Sequence, residues 1–235
     1  MSKKKKLILI ISIVLIAVVV VSSLIVVFDY VSKCKEKRDR ELAIKQYREA
    51  KISLYQQENA MYDDYEVDVA FLGDSLTDLY DVKSYYSQYT VVNRGVGGDK
   101  TFDLENRLKV SVYDLKPKVA VMLIGANNFS TMFENYERIV SSLKTNLPNT
   151  DIVLLSLTAM RDVWGRNNEL ACFNNVKIEL IAQKYNCTFV DMFTPLFDLN
   201  TNGIYPEYTT DGGHLTDKGY EAVTNILTPV LNGLL

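Results

Sequence analysis

One histidine, one tryptophan and three cysteines are present in a chain of 235 residues. A single imidazole, His214, cannot supply the nitrogen ligands of a catalytic zinc or iron centre, and Cys34, Cys172 and Cys187 show neither a CxxC pair nor metal-ligand spacing. No metal and no other cofactor is therefore expected. An odd cysteine count excludes complete internal pairing. Cys172 and Cys187 could bridge in an oxidising compartment, but bridging geometry is not readable from sequence and the question stays open. An excess of basic residues is also lacking: Lys and Arg total 26 against 29 Asp and Glu, for a net charge of −3. That balance gives no reason to expect nucleic acid as a partner.

Charge is missing altogether from Leu7 to Phe28, about 22 residues interrupted only by three serines. At 1.5 Å rise per residue the run spans ~33 Å, which matches the ~30 Å hydrocarbon core of a bilayer. It is too long for a cleavable signal peptide and has no small-x-small site after it. The expected organisation is a short basic tail (1–6), a single transmembrane signal-anchor helix (7–28), a charged helical stalk (29–60) and one domain (61–235). Basic residues flank the run on both sides, Lys3 to Lys6 before it and Lys33 to Arg40 after it. A short basic tail is easily retained and a long downstream domain crosses largely regardless of charge, so the N-terminus is expected inside and the domain outside the cytoplasm, at the cell membrane.

After the stalk, short apolar runs alternate with helical patterns. Val67–Leu72, Thr90–Val92, Val119–Ile124, Ile152–Leu157 and Thr188–Val190 read as strands buried on both faces. Thr101–Leu115, Phe133–Leu147, Glu169–Tyr185 and Asp217–Leu231 read as helices. Alternation of this kind implies a three-layer α/β fold, a doubly wound, mainly parallel five-stranded sheet of flavodoxin-like type. In such sheets ligands bind beyond the carboxyl ends of the strands.

Those ends carry "GDSLT", "NRGVGGDKT" and "GANN", and a late loop carries "DGGH". Each stretch alone has an ordinary reading. Ser75 with Asp78 fits a helix capping box, Asn127 fits a turn or cap, and a lone histidine in a glycine-rich loop fits a polar loop residue. The glycines at 95, 97 and 98 do not make a phosphate loop, because Asp99 stands where Gly must precede Lys. Asp198, Asn200, Asn202 and Gly203 match only the first half of a calcium loop, since Thr209 occupies the position of its final Glu.

Taken in register, the four stretches resemble the sequence blocks of the GDSL or SGNH hydrolases, a superfamily of serine esterases and lipases, over roughly Asp68 to Leu231. The resemblance implies Ser75 as nucleophile, Gly98 and Asn127 as oxyanion-hole donors, and Asp211 and His214 as the remaining triad members. Asn128 stands where the third block usually has Asp, a form found in the branch resembling platelet-activating-factor acetylhydrolases. The chemistry agrees independently. Serine needs a base to take its proton, His214 is the one imidazole available, and Asp211 three residues earlier can fix its tautomer. The N–H groups of Ser75 and Gly98 and the Asn127 amide would face the developing oxyanion.

The expected activity is hydrolysis of small, acetyl-like O-acyl esters of a small molecule or glycan. Alternatives are an O-acyltransferase using the same residues and a non-catalytic glycan-binding module on the same fold. Trp164 and Arg161, in the segment after the fourth strand, are expected to shape the substrate pocket.

Overall fold

The computed structural model describes residues 2–161 and 167–235, with the side chains at 5, 8–12, 14 and 16–19 outside that description. The chain divides into two compact units, Met1–Ala50 and Lys51–Leu235. Helix α1, Lys3–Asn59, supplies the whole of the first unit's regular structure. Its polar part has no Gly or Pro to break it between Ser32 and Asn59, and i,i+4 ion pairs such as Lys33–Asp29, Lys37–Glu41 and Lys45–Glu49 line it. Among the described residues no helix is long and apolar enough to cross a membrane.

The second unit begins with the last turns of α1 and is built on five parallel strands. These are β1 (Val69–Gly73), β2 (Val91–Gly95), β3 (Val119–Leu123), β4 (Asp151–Leu155) and β5 (Thr188–Val190), in the spatial order β2-β1-β3-β4-β5. All five residues of β1 and of β3 are buried. That is possible only where both faces of the sheet are covered, as the uninterrupted apolar runs require. The covering elements include α2 (Ser75–Asp78), α3 (Val82–Tyr85), α4 (Thr101–Asn106), α5 (Phe133–Asn146), α6 (Asn168–Lys184) and α7 (Asp217–Leu234). A two-stranded ribbon, β6 (Phe197–Asp198) and β7 (Gly203–Ile204), precedes the histidine loop.

The helix expected over Thr101–Leu115 is divided. Helix α4 stops at Asn106, and a wider π-type turn follows at Lys109–Tyr113. Between them Arg107 turns inward and is 6% exposed, with its guanidinium bonded to the buried Ser111 hydroxyl at 2.8 Å. Burying that guanidinium takes the place of a regular helical turn. The three thiols are free, with Cys172 exposed and Cys187 half-buried.

Register decides what meets at the carboxyl edge. Gly73 pairs with Gly95 on one side and with Leu123 on the other. The residues that follow these three, Ser75, Gly98 and Asn127 among them, therefore leave the sheet at the same level.

Candidate active site

Helix α2 starts one residue earlier than a capping box on Ser75 would require. Asp74 is its N-cap, and the Asp74 carboxylate accepts the Leu76 N–H at 3.1 Å. Asp78 is turned away to accept the Gly97 N–H at 3.0 Å. Ser75 is left without a capping duty. Its Oγ lies 2.9 Å from Nε2 of His214, 139 residues away in the chain.

Aromatic packing between α2 and α7 brings those two residues together. Tyr220, in the first turns of α7, donates from its hydroxyl to the Leu76 carbonyl at 2.9 Å. Its ring stacks on Tyr80 at 4.7 Å between centroids. Leu76 follows Ser75 and Tyr220 lies six residues after His214, so this contact fixes the distance between the hydroxyl and the imidazole.

The histidine loop is held from within. Nδ1 of His214 lies 2.7 Å from Oδ2 of Asp211, while Oδ1 accepts the backbone N–H groups of Gly213 at 2.9 Å and His214 at 2.8 Å. Partial burial works against ionisation of Asp211. The hydrogen bonds from the His214 ring, the His214 N–H and the Gly213 N–H outweigh it and bring its pKa down to about 2. Thr209 closes the loop by donating its hydroxyl to the His214 carbonyl at 2.7 Å and accepting the Gly212 N–H at 2.9 Å. An ionised Asp211 requires Nδ1 to carry the ring proton, which leaves Nε2 to accept from Ser75. The two side chains are 35% and 39% exposed, so the pair is open to solvent and to a ligand.

Across from this loop, Val96 to Asp99 form a β-turn closed by the Asp99 N–H to the Val96 carbonyl at 3.1 Å. Gly98 takes the third position with φ +78°, the value a type II turn demands there. A Cβ at Gly98 would meet nothing within 4 Å, so the space in front of it is open. The Asn127 amide donates to the Asp99 carbonyl at 3.0 Å and so sits against the same turn. Asn128 has a different task. Its amide donates to the Thr101 hydroxyl at 2.9 Å and its oxygen accepts the Thr101 N–H at 3.3 Å, joining the third strand's loop to the start of α4. The first of these bonds is beyond an ionised Asp.

Behind the turn lies a pair that the sequence did not reveal. Asp99 is 1% exposed and accepts from Arg107 Nε at 2.7 Å. The remaining guanidinium nitrogens reach the carbonyls of Arg94 at 2.8 Å and Gly73 at 2.9 Å. One buried side chain thus ties the ends of β1 and β2 to the glycine turn. No local pattern announces it, since Arg107 is one arginine in a helix with an ordinary mixture of charges.

Of the two residues expected at the substrate pocket, Trp164 lies outside the described residues. Arg161 reaches the site through its backbone, its N–H donating to the Gly212 carbonyl at 2.8 Å, while its side chain is exposed. Among the described residues, no cluster of three or more His, Cys, Asp or Glu is placed to hold a metal ion.

A parallel sheet whose carboxyl edge carries a hydroxyl–imidazole–carboxylate chain opposite a glycine turn and an amide defines the class of SGNH-like α/β acyl hydrolases. The profile of the GDSL-like Lipase/Acylhydrolase family matches residues 71–222, and the chain belongs to that family. Platelet-activating factor acetylhydrolase IB subunit alpha2 of Homo sapiens is 36% identical over 103 residues, 40% of this chain and 45% of that protein. The match therefore spans less than half of that relative's length. Subunit alpha1 of Bos taurus is 30% identical over 188 residues, 73% of this chain and 78% of that protein. A Streptococcus pneumonia structure named for platelet activating factor superposes with a TM-score of 0.74 at 28% identity, covering 81% of this chain and 95% of its own.

Proposed function

We propose that the chain is a membrane-anchored serine esterase that hydrolyses small O-acyl esters. The observation that carries this reading is the Ser75–His214–Asp211 chain of hydrogen bonds at 2.9 and 2.7 Å. In the proposed reaction His214 Nε2 takes the Ser75 proton as Oγ attacks the ester carbonyl carbon. The imidazolium, stabilised by Asp211, then returns that proton to the departing alcohol. Water, activated by the same nitrogen, attacks the acyl-serine and releases the acid. Negative charge on the carbonyl oxygen meets the N–H groups of Ser75 and Gly98 and the Asn127 amide, each worth about 2.7–4 kcal/mol in such a transition state.

A short acyl group is supported by the relatives named as acetylhydrolases, and a glycan carrier goes with the outward placement that is itself part of the proposal. Membrane anchoring is supported by the charge-free run Leu7–Phe28 lying within one continuous helix. In that helix Leu24, Ile25, Val26, Val27 and Phe28 are each more than half exposed, an apolar surface that a bilayer would cover. Placement of the domain outside the cytoplasm is part of the proposal, motivated by the Lys3–Lys6 cluster before the charge-free run.

The test is turnover of p-nitrophenyl acetate, butyrate and octanoate by the full chain beside Ser75→Ala and His214→Ala. Loss of at least ~10³-fold in kcat in both variants, with acetate the best of the three esters, is the expected result. Equal rates in wild type and both variants would overturn the reading.

A further inference from the structure

We infer that Lys51 and Tyr55, in the last turns of α1, are positioning residues that hold the glycine turn in register with Ser75. The inference rests on the esterase reading above, and concerns a segment that lies before the residues matching the family. Lys51 Nζ is 2.5 Å from Oδ1 of Asp78, whose other oxygen accepts the Gly97 N–H at 3.0 Å. Tyr55, 1% exposed, donates its hydroxyl to the Gly95 carbonyl at 2.5 Å. Two side chains of one helix therefore reach the approach to Gly98, Tyr55 directly at residue 95 and Lys51 at residue 97 through Asp78. Arg94 completes the attachment: its guanidinium lies 4.6 Å over the Tyr55 ring, pairs with Glu58, and donates to Asn59 at 2.9 Å.

The link reaches the nucleophile as well. Asp78 is the last residue of α2, the four-residue helix that begins at Ser75. A Cβ on Gly95 would stand 2.2 Å from the Asp78 backbone nitrogen, so this position must be glycine for α2 to lie against the end of β2. The Asp78 side chain is 9% exposed. The Lys51 ammonium bonded to one of its oxygens helps to keep the other seated on the Gly97 N–H. Without that contact the Asp78 side chain is freer to turn towards water, which loosens the turn whose next N–H faces the oxyanion.

An oxyanion donor acts on the transition state more than on the bound ester, and displacements near 1 Å cost about 10²-fold in rate. Lys51→Met in the full chain is therefore expected to lower kcat for p-nitrophenyl acetate by about 10–100-fold with KM changed less than about twofold. Lys51→Arg should restore most of that loss, and Tyr55→Phe should lower kcat by several-fold in the same pattern. Hydrogen–deuterium exchange of the peptide spanning residues 93–101 should quicken in Lys51→Met and return toward wild type in Lys51→Arg. Thermal melting of each variant identifies any loss due to unfolding alone. If Ser75→Ala is inactive while Lys51→Met and Tyr55→Phe keep wild-type kcat, the inference falls and the esterase reading stands. A loss in Lys51→Met that Lys51→Arg does not rescue, or one that appears in KM, also overturns it. If wild type turns over no faster than Ser75→Ala, both fall together.

Discussion

The loop from Thr209 to Leu215 orients its carboxylate and imidazole chiefly with its own bonds, Asp211 to the ring and backbone of His214 and Thr209 to Gly212 and His214, and meets the rest of the domain at Ser75 and Arg161. The turn from Val96 to Asp99 is held from outside, by Asp78 of α2, by Arg107 beyond the end of α4 and by Asn127 after β3. The first loop is half-exposed and the second is backed by a nearly fully buried ion pair. Proton transfer needs an imidazole held in one tautomer and orientation by its carboxylate, which bonds within a single loop can supply. Stabilising an oxyanion needs donors that do not reorganise, and buried long-range bonds supply that rigidity.

Substitutions should separate the two loops. Asp211→Asn should have the largest effect, about 10⁴-fold in kcat, because an amide at this position favours the wrong imidazole tautomer, and kinetics beside an unchanged melting curve would show it. Arg107→Met should instead appear in stability, costing about 3–5 kcal/mol in urea unfolding, since it removes the guanidinium bonded to the buried Asp99 carboxylate. Adding Asp99→Asn to that variant should recover part of the loss. If Arg107→Met unfolds like wild type, the contrast between the loops fails.

Asn127→Ala should lower kcat by about 10²–10³-fold with little change in KM, the signature of a donor that acts at the oxyanion. The smallest effect is in the pH profile. Only an unprotonated base can accept the serine proton, so kcat/KM should fall on acidification along a limb of slope one. Asp211, lowered to about 2, stays ionised along this limb and adds no second step until the pH falls towards that value. An acid limb of slope two would show that the carboxylate titrates with the ring.

The same contrast explains which parts could be read in advance. Each strand is a single apolar run and was legible from periodicity, whereas Gly98, Asp211 and His214 were legible because their short stretches resemble, in register, the blocks of the GDSL or SGNH hydrolases. The capping box that Ser75 and Asp78 would fit on local pattern alone does not form: Asp74 caps α2, and the Asp78 carboxylate is bonded to Lys51 and the Gly97 N–H. The single helix expected over Thr101–Leu115 broke where Arg107 turned inward. In both places a partner distant in sequence outweighed a local preference.

By itself the sequence determined the alternation of strands and helices, the parallel sheet, and the identities of Ser75, Gly98, Asn127, Asp211 and His214 as residues for its carboxyl edge. The elements depend on side-chain periodicity, and the site residues were legible through the resemblance of four short stretches to the GDSL or SGNH hydrolases. Only the tertiary structure decided that Ser75 and His214 lie 2.9 Å apart, that Arg107 and Asp99 pair beneath the glycine turn, and that the end of α1 supports it. Those contacts join residues brought together by strand order and helix packing, and their energies come from burial, which no single stretch of chain possesses before it folds.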